Sequence, residues 1–579
     1  MCARSRLRPL FFCLLLIAAL AGCAPSERLT ARLGGDFSRG IRVGGAVASD
    51  EPALAVLPGE GGLAIAWAGE GEALHLARLA PDGRLLASGP LSLAAERPAQ
   101  PVLYARADGT LTLLYVDGAA EGALTLTRLS AEGEVLAEET LSPSAPSYAA
   151  EADAAGALHV VWAAGDGALH YLHLAPDGGP AEAVALPASG VAPALRPDGA
   201  GRLHLVWTRE PEPGLREVRY AVLAAGSGAW GAEAVLATLP VPTGLVLREP
   251  AVGLAEGDVY VYWALERRGG GLAQPFAETS YVVFPAGRPE EAGRPGPVRV
   301  PAPRDPALAP AESAWPITRL APAPDDARPA GFVYYPSPAA GAGDELAVAM
   351  AVQLEGRTRA QTQIVLTLWA DGALRGYQVV ADTPNGSLRP RLLADGAGDL
   401  YVAWVDTAGF GAYDVYVSGT PEPMRAHLGR LRPVDVVEAV LTGAWSLVQV
   451  FGFLPMTVAW LLPPLLLLAL YVLIQPEGDL ARSGPRAILA AASVVYLGAK
   501  YILRPGWMTE FPTPAWLAPA WAGRLMLLAP LGIAALAGLV TWLTLRRREY
   551  PSLFPAFFLF AGSDTLLTLL MYVPAVLSE

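Results

Sequence analysis

Between about residues 36 and 425 the chain alternates apolar with small or polar positions in short runs broken by Asp-Gly, Glu-Gly and similar turns. Alternation with period two marks half-buried strands, and the turns between them mark antiparallel hairpins. One phrase recurs: a strand led in most copies by proline, a turn, then an apolar strand ending in an aromatic residue. It reads "EPALAVLPGEGGLAIAWAG", "QPVLYARADGTLTLLYVDG", "YAAEADAAGALHVVWAAG", "APALRPDGAGRLHLVWTRE", "EPAVGLAEGDVYVYWALE" and "RPRLLADGAGDLYVAWVD". Its aromatics are Trp67, Tyr115, Trp162, Trp207, Trp263 and Trp404, so by subtraction the intervals are 48, 47, 45, 56 and 141. A degenerate copy, "WPITRLAPAPDDARPAGFVYYPS", fits the long gap with Tyr334 or Tyr335 in the aromatic slot. A period near 40–50 residues with about four strands per unit predicts an all-β propeller. Seven blades are counted, with six or eight left open by the irregular region 264–388. The last copy shows three strands, and "FSRGIRVGG" (37–45) is placed to supply its fourth and close the ring.

After Pro433 the pattern changes to apolar runs at about 455–475, 486–503, 525–545 and 553–575. Each approaches the ~20 residues that span a bilayer as a helix. A further apolar stretch, 436–454, reads as a juxtamembrane or re-entrant helical segment. With four spans, Arg482, Arg486 and Arg546-Arg547-Arg548 face the cytoplasm, and the loop holding Trp507, Phe511, Trp516 and Trp521 faces outward. The C-terminus is then outside.

The first residues, "MCARSRLRPLFFCLLLIAALAGC", place arginines ahead of a short apolar core and end in Leu20-Ala21-Gly22-Cys23. That is a secretory signal closing on a bacterial lipobox, with Cys23 the residue that receives lipid. The expected organisation is a signal peptide at 1–22, a linker at 23–35 and an extracytoplasmic propeller at 36–425. The helical segment 426–454 and a membrane domain at 455–579 follow. All three cysteines (2, 13 and 23) lie in the N-terminal segment, which leaves the mature chain without a disulfide or a thiolate metal site.

Charge narrows the functional classes. A formal charge of −13 gives no basic footprint for nucleic acid. Arginine supplies every cation but one, and asparagine also occurs once, as Asn385. Lysine and asparagine share AA-starting codons, so a GC-rich genome explains both scarcities. The single lysine, Lys500, nevertheless lies in an apolar run. Counting 14 residues from Arg486 puts it about 21 Å along its helix, and Asp564, 14 residues past Tyr550, lies at nearly the same height. Charges inside spans face partners, so Lys500 and Asp564 form a possible intramembrane pair.

The histidines His159 and His204 share one repeat slot, as do His75 and His170, which points to structural positions in the repeat and to no metal site. Carboxylates such as Asp82 and Asp371 precede glycine and serve turns. No phosphate loop, dinucleotide fingerprint or nucleophile triad is present, so no cofactor and no catalytic residue is assigned.

Over roughly residues 45–420 the repeats resemble the sialidase-like propellers, including bacterial proteins with BNR-like repeats. Asp153-Ala-Ala-Gly156-Ala-Leu-His-Val-Val-Trp162 is the nearest approach to their Asp-box, with glycine and tryptophan spaced differently. The resemblance implies the fold. For activity it would imply a carboxylate-clamping arginine near the first blade, where Asp50-Glu51-Pro52 stands instead. Three functions follow as expectations. The first is a membrane-anchored module that binds or scaffolds an envelope protein or glycan through the propeller loops, with membrane lipid as its other partner. The second is a sialidase-like glycoside hydrolase, and the third a transport or assembly subunit acting through its helices.

Overall fold

The computed structural model describes residues 35–577 apart from internal stretches, of which 268–275 and 509–518 are the longest. The signal peptide, Cys23 and most of the linker fall outside the described residues, as do Arg547, Arg548 and most of the aromatic loop. The chain divides into two compact units that meet in sequence near Arg430.

The first unit is a seven-bladed propeller. Six blades are built from consecutive strands spanning 53–90, 98–142, 147–189, 191–240, 245–297 and 333–379. The seventh takes its three inner strands from 387–419 and its outer strand, Ile41–Gly45, from the other end of the chain. Ile41 pairs with Val417 and Gly45 with Asp414 in antiparallel register. The closure is fastened by polar groups, of which Asp36, Ser38, Gln378 and Ser418 are buried. Ser418 Oγ donates to Ser38 O at 2.6 Å, and Asp36 accepts from Thr318 N at 2.9 Å, Thr318 Oγ1 at 2.7 Å and Gln378 Nε2 at 3.0 Å.

The recurring aromatic explains the repeat. Tyr115 packs among Ala64 and Leu76 of the first blade, Trp162 against Leu114, Trp207 against Val161, Trp263 against Val206, and Trp404 against Leu366. Trp67 closes the circle against Val405 and Val415 of the seventh blade. Each ring therefore fills the wedge between its own blade and the preceding one, where a large flat side chain covers most area. The sixth blade departs from the expected pattern. Tyr334 and Tyr335 lie on its innermost strand, Val333–Pro338, and Met350 takes the aromatic slot, packed with Tyr260 and Tyr262 of the fifth blade. A flexible thioether fills that gap without a ring. Residues 309–310 and 319–320 form a separate two-stranded ribbon ahead of this blade, which is why the sequence there reads as irregular.

A short helix, α1 (Glu422–Leu428), ends the propeller unit, its Met424 and Leu428 buried against the first and seventh blades. The second unit contains α2 (Pro433–Ile474), α3 (Ser483–Ile502), α4 (Pro519–Leu545) and α5 (Leu553–Leu577). No turn separates 436–454 from the apolar stretch after it, and the 42 residues of α2 extend about 63 Å. Among the described residues three helical segments are long and apolar enough to cross a membrane: Gly452–Ile474, Leu528–Leu545 and Leu553–Val573. The expected span at 486–503 is helical, but α3 carries Arg486 and Lys500 within 20 residues and falls short of that apolarity. Tyr496 of α3 packs edge-on to Phe557 and Phe560 of α5, and Trp460 of α2 donates to Leu503 O at 3.4 Å.

Candidate ligand-binding funnel

The residue before the leading proline of each blade has a common fate. Six of the seven innermost strands carry an X-Pro step or follow directly on one, at Glu51-Pro52, Gln100-Pro101, Ala192-Pro193, Glu249-Pro250, Tyr335-Pro336 and Arg389-Pro390. In four of them the strand register slips at this step, between Ala99 and Val102, Val191 and Ala194, Tyr334 and Ser337, and Leu388 and Arg391. Proline has no N–H to give the ladder, so it suits a bulge, and a bulge re-aims the side chain it carries. At these four the X residue is left-handed, with φ 54° at Gln100, 51° at Ala192, 56° at Tyr335 and 52° at Arg389. Such a backbone costs a non-glycine residue about 1–2 kcal/mol and survives only where its surroundings hold it. Some of that hold comes from the preceding blade: Gln100 N donates to Asp50 Oδ2 at 2.9 Å, and Ala192 N to Ser147 Oγ at 2.9 Å.

These steps surround a funnel of about 770 Å³ on the propeller axis. Its lining includes Glu51, Gln100, Tyr148, Glu249, Tyr335 and Arg389. Arg196 closes the floor by reaching across the axis. Its Nη1 lies 3.4 Å from Glu151 of the third blade, its Nε donates to Val252 O of the fifth at 3.3 Å, and its Nη2 to Pro338 O of the sixth at 3.0 Å. Arg391 lies 3.7 Å from the same Glu151. Arg248 is bound by Glu266, and its guanidinium stands 5.9 Å from the centre of the Tyr335 ring. Arg389 lies 4.8 Å from that ring's centre.

Burial governs the titration of this wall. It raises the Glu51 carboxyl above the usual carboxylate range, against the pull of Arg391 and Arg389 and with the push of Glu249 and Asp50. Asp50 is raised by the same cause, opposed by the Gln100 N–H and Arg389. The Tyr104 and Tyr148 phenols are pushed well up by burial. Burial opposes the charge on Arg391, but Glu151, Tyr104 and Glu51 outweigh it and the guanidinium is held above its ordinary value.

The histidines take structural places. His159 Nε2 lies 3.2 Å from Asp153 Oδ2 and Nδ1 2.9 Å from Tyr171 Oη, while His204 repeats the pattern with Asp198 at 3.3 Å and Tyr220 at 2.8 Å. Tyr171 Oη in turn accepts from Gly226 N at 3.0 Å, a tie to the next blade. His75 and His170 lie against Trp67 and Trp162 with ring centres 5.5 and 5.4 Å apart. No group of three metal-ligating side chains occurs among the described residues.

In the helical unit, Lys500 Nζ lies 2.5 Å from Asp564 Oδ2 and 2.7 Å from Thr568 Oγ1. Tyr496 Oη donates to the same Asp564 oxygen at 2.8 Å and lies 2.9 Å from Thr565 Oγ1. Both charged side chains are buried, and Asp564 Oδ1 has no hydrogen-bond partner among the described residues.

In the sequence Glu51 stands alone at the first blade, whereas the fold brings Arg196, Arg248, Arg389 and Arg391 into the same wall from three other blades. The repeated X-Pro step was the signal available.

No family model matches the chain, and no curated protein matches it. Solved structures are similar to part of the chain at low identity. A PL25 ulvan lyase is 11% identical over 66% of this chain and 96% of its own, with a TM-score of 0.39. The BP39L lectin from Burkholderia pseudomallei is 12% identical over 65% and 98%, with a TM-score of 0.37. The Aleuria aurantia lectin is 13% identical over 57% and 94%, with a TM-score of 0.32.

Proposed function

We propose that this chain is a membrane-anchored binding module of the bacterial cell envelope, its propeller held outside the membrane to capture a small polar ligand or the end of a larger partner in the central funnel. The observation that carries the reading is the ring of X residues Glu51, Gln100, Glu249, Tyr335 and Arg389, which five blades bring to one concavity at the expense of backbone strain in three. Strain of this kind collects where a side chain has to be aimed. A cavity of this volume lined by a few convergent polar groups is the usual form of a small-ligand site. Lipid on Cys23 and apolar helices after Gly452 would supply the anchoring, with α3 completing four spans and the C-terminus outside.

A sialidase-like hydrolase would use the same funnel, where arginines stand even though blade one offers Glu51. Binding is favoured because Arg196, Arg248 and Arg391 are already engaged by carboxylates. The test is calorimetry on the full-length protein in detergent against a panel of mono- to trisaccharides and short peptides. At least one should bind and lose at least tenfold in affinity with Tyr335→Ala. A panel bound equally by the variant, or not at all, overturns the reading. Turnover of a fluorogenic glycoside that disappears with a funnel carboxylate would put the hydrolase in its place.

A further inference from the structure

Four consecutive blades bring Glu249, Tyr335, Arg389 and Glu51 to the funnel in that order round the ring. Most charges lining the funnel are satisfied inside the protein: Glu151 serves Arg196 and Arg391, and Glu266 serves Arg248. Asp50 is nine-tenths buried and accepts the Gln100 N–H. Three charges are left over. Among the described residues Glu51, Glu249 and Arg389 make no ion pair and no hydrogen bond, although each carboxylate lies in an arginine-lined wall.

Their lack of pairing is informative because all three line one concavity. Glu51 feels the charges of Arg391 and Arg389, which favour its anion, and of Glu249 and Asp50, which oppose it. Carboxylates and a guanidinium that share a cavity wall could pair if their side chains swung together. Here Arg389 is turned by a left-handed bulge onto the face of Tyr335, whose ring it covers at 4.8 Å, and Pro52 and Pro390 fix the backbone beside each partner. Unspent charges of both signs held apart in a concavity fit a ligand that carries both.

We infer that the funnel takes a small zwitterion, its ammonium set between Glu51 and Glu249 and its carboxylate on the Arg389 guanidinium. Planar guanidinium and carboxylate match in two parallel hydrogen bonds, and an ammonium with three donors can bridge two carboxylates. The inference rests on the funnel being the binding site and adds what the ligand must carry. An amino acid or short peptide with free ends has this chemistry, and so does an amino sugar that bears a carboxylate.

The test uses full-length protein in detergent and calorimetry with tri-alanine, its N-acetyl form, its C-terminal amide and the doubly blocked peptide. Muramic acid forms a second arm that separates a saccharide source from a peptide one. The zwitterion of at least one arm should bind, and in the peptide arm each block should weaken binding at least tenfold. Glu249→Gln should erase the penalty of N-acetylation, and Arg389→Gln should erase the penalty of amidation. Glu249 is exposed, so its variant tests the idea without disturbing the fold. Equal binding of the free and doubly blocked peptides overturns the inference. So does a neutral saccharide that binds through Tyr335 while both zwitterions fail, and in that case the funnel remains the site. If nothing binds, the site assignment falls with it.

Discussion

Replacing Asp406 by asparagine should stabilise the propeller at neutral pH. Asp406 lies on the second strand of the seventh blade, 2% exposed, with Oδ1 accepting from Thr383 Oγ1 at 3.0 Å and Ser387 Oγ at 3.1 Å. Burial pushes its carboxyl up from 3.8 to about 6, against the two hydroxyls and with help from Asp414. A folded-state value above the unfolded one means that the protonated form favours folding. That contribution is fully present below pH 3.8 and is lost as pH rises through about 6. At about 1.4 kcal/mol per pKa unit, the whole loss by pH 7.5 is about 3 kcal/mol, of which about 2 falls between pH 4.5 and 7.5. Asparagine keeps the Oδ1 acceptor and cannot ionise. Denaturant unfolding of both proteins, followed by near-ultraviolet tryptophan dichroism at pH 4.5 and 7.5, isolates the term, because every other titrating group cancels in the difference. Asp406→Asn should be the more stable protein at pH 7.5, with its advantage about 2 kcal/mol smaller at pH 4.5. A variant less stable than wild type at pH 7.5, or an advantage that does not change with pH, refutes the argument.

Three other outcomes are expected. Lys500→Leu and Asp564→Leu should each lower the folded yield in membranes, and the double change should recover part of the loss, since a lone buried charge costs about 2.5–3.5 kcal/mol on insertion scales. Losses that simply add would show that the pair does not interact. Labelled palmitate should enter the wild type and not Cys23→Ser, and a reporter fused after Glu579 should read outside; a cytoplasmic reading removes the four-span topology. Arg196→Met should destabilise the propeller by about 3–5 kcal/mol, because it leaves Glu151 with one distant arginine and two strand carbonyls without a donor, and an unchanged unfolding midpoint would remove Arg196 from the funnel floor.

The propeller was legible because a blade has to solve the same packing problem seven times. Trp67, Trp162, Trp207 and Trp404 sit in one slot, and the outer strand Ile41–Gly45 was readable as the missing member of the last blade. The sixth blade was not, because Met350 solves its wedge without an aromatic and Tyr335 works elsewhere. The funnel was half visible. Its X-Pro steps repeat openly, but the left-handed turn at Gln100, Ala192, Tyr335 and Arg389 depends on neighbouring blades and leaves no local mark. Counting helical rise put Lys500 and Asp564 at one height, while the Tyr496 hydroxyl that joins them needed the packing of α3 on α5. The apolarity of α3 was overestimated because its 20 residues include two cations.

The most direct measurement of the central claim is protection of the funnel wall. Gln100 is exposed and lines the funnel, and Leu136 is exposed on the outermost strand of the same blade. Gln100→Cys and Leu136→Cys would each be made in the full chain and labelled with a bulky maleimide, with and without the tightest ligand of the panel. Bound ligand should slow labelling at residue 100 at least tenfold and leave residue 136 unchanged. Equal rates at residue 100 with and without bound ligand would contradict the assignment of the funnel as the binding site.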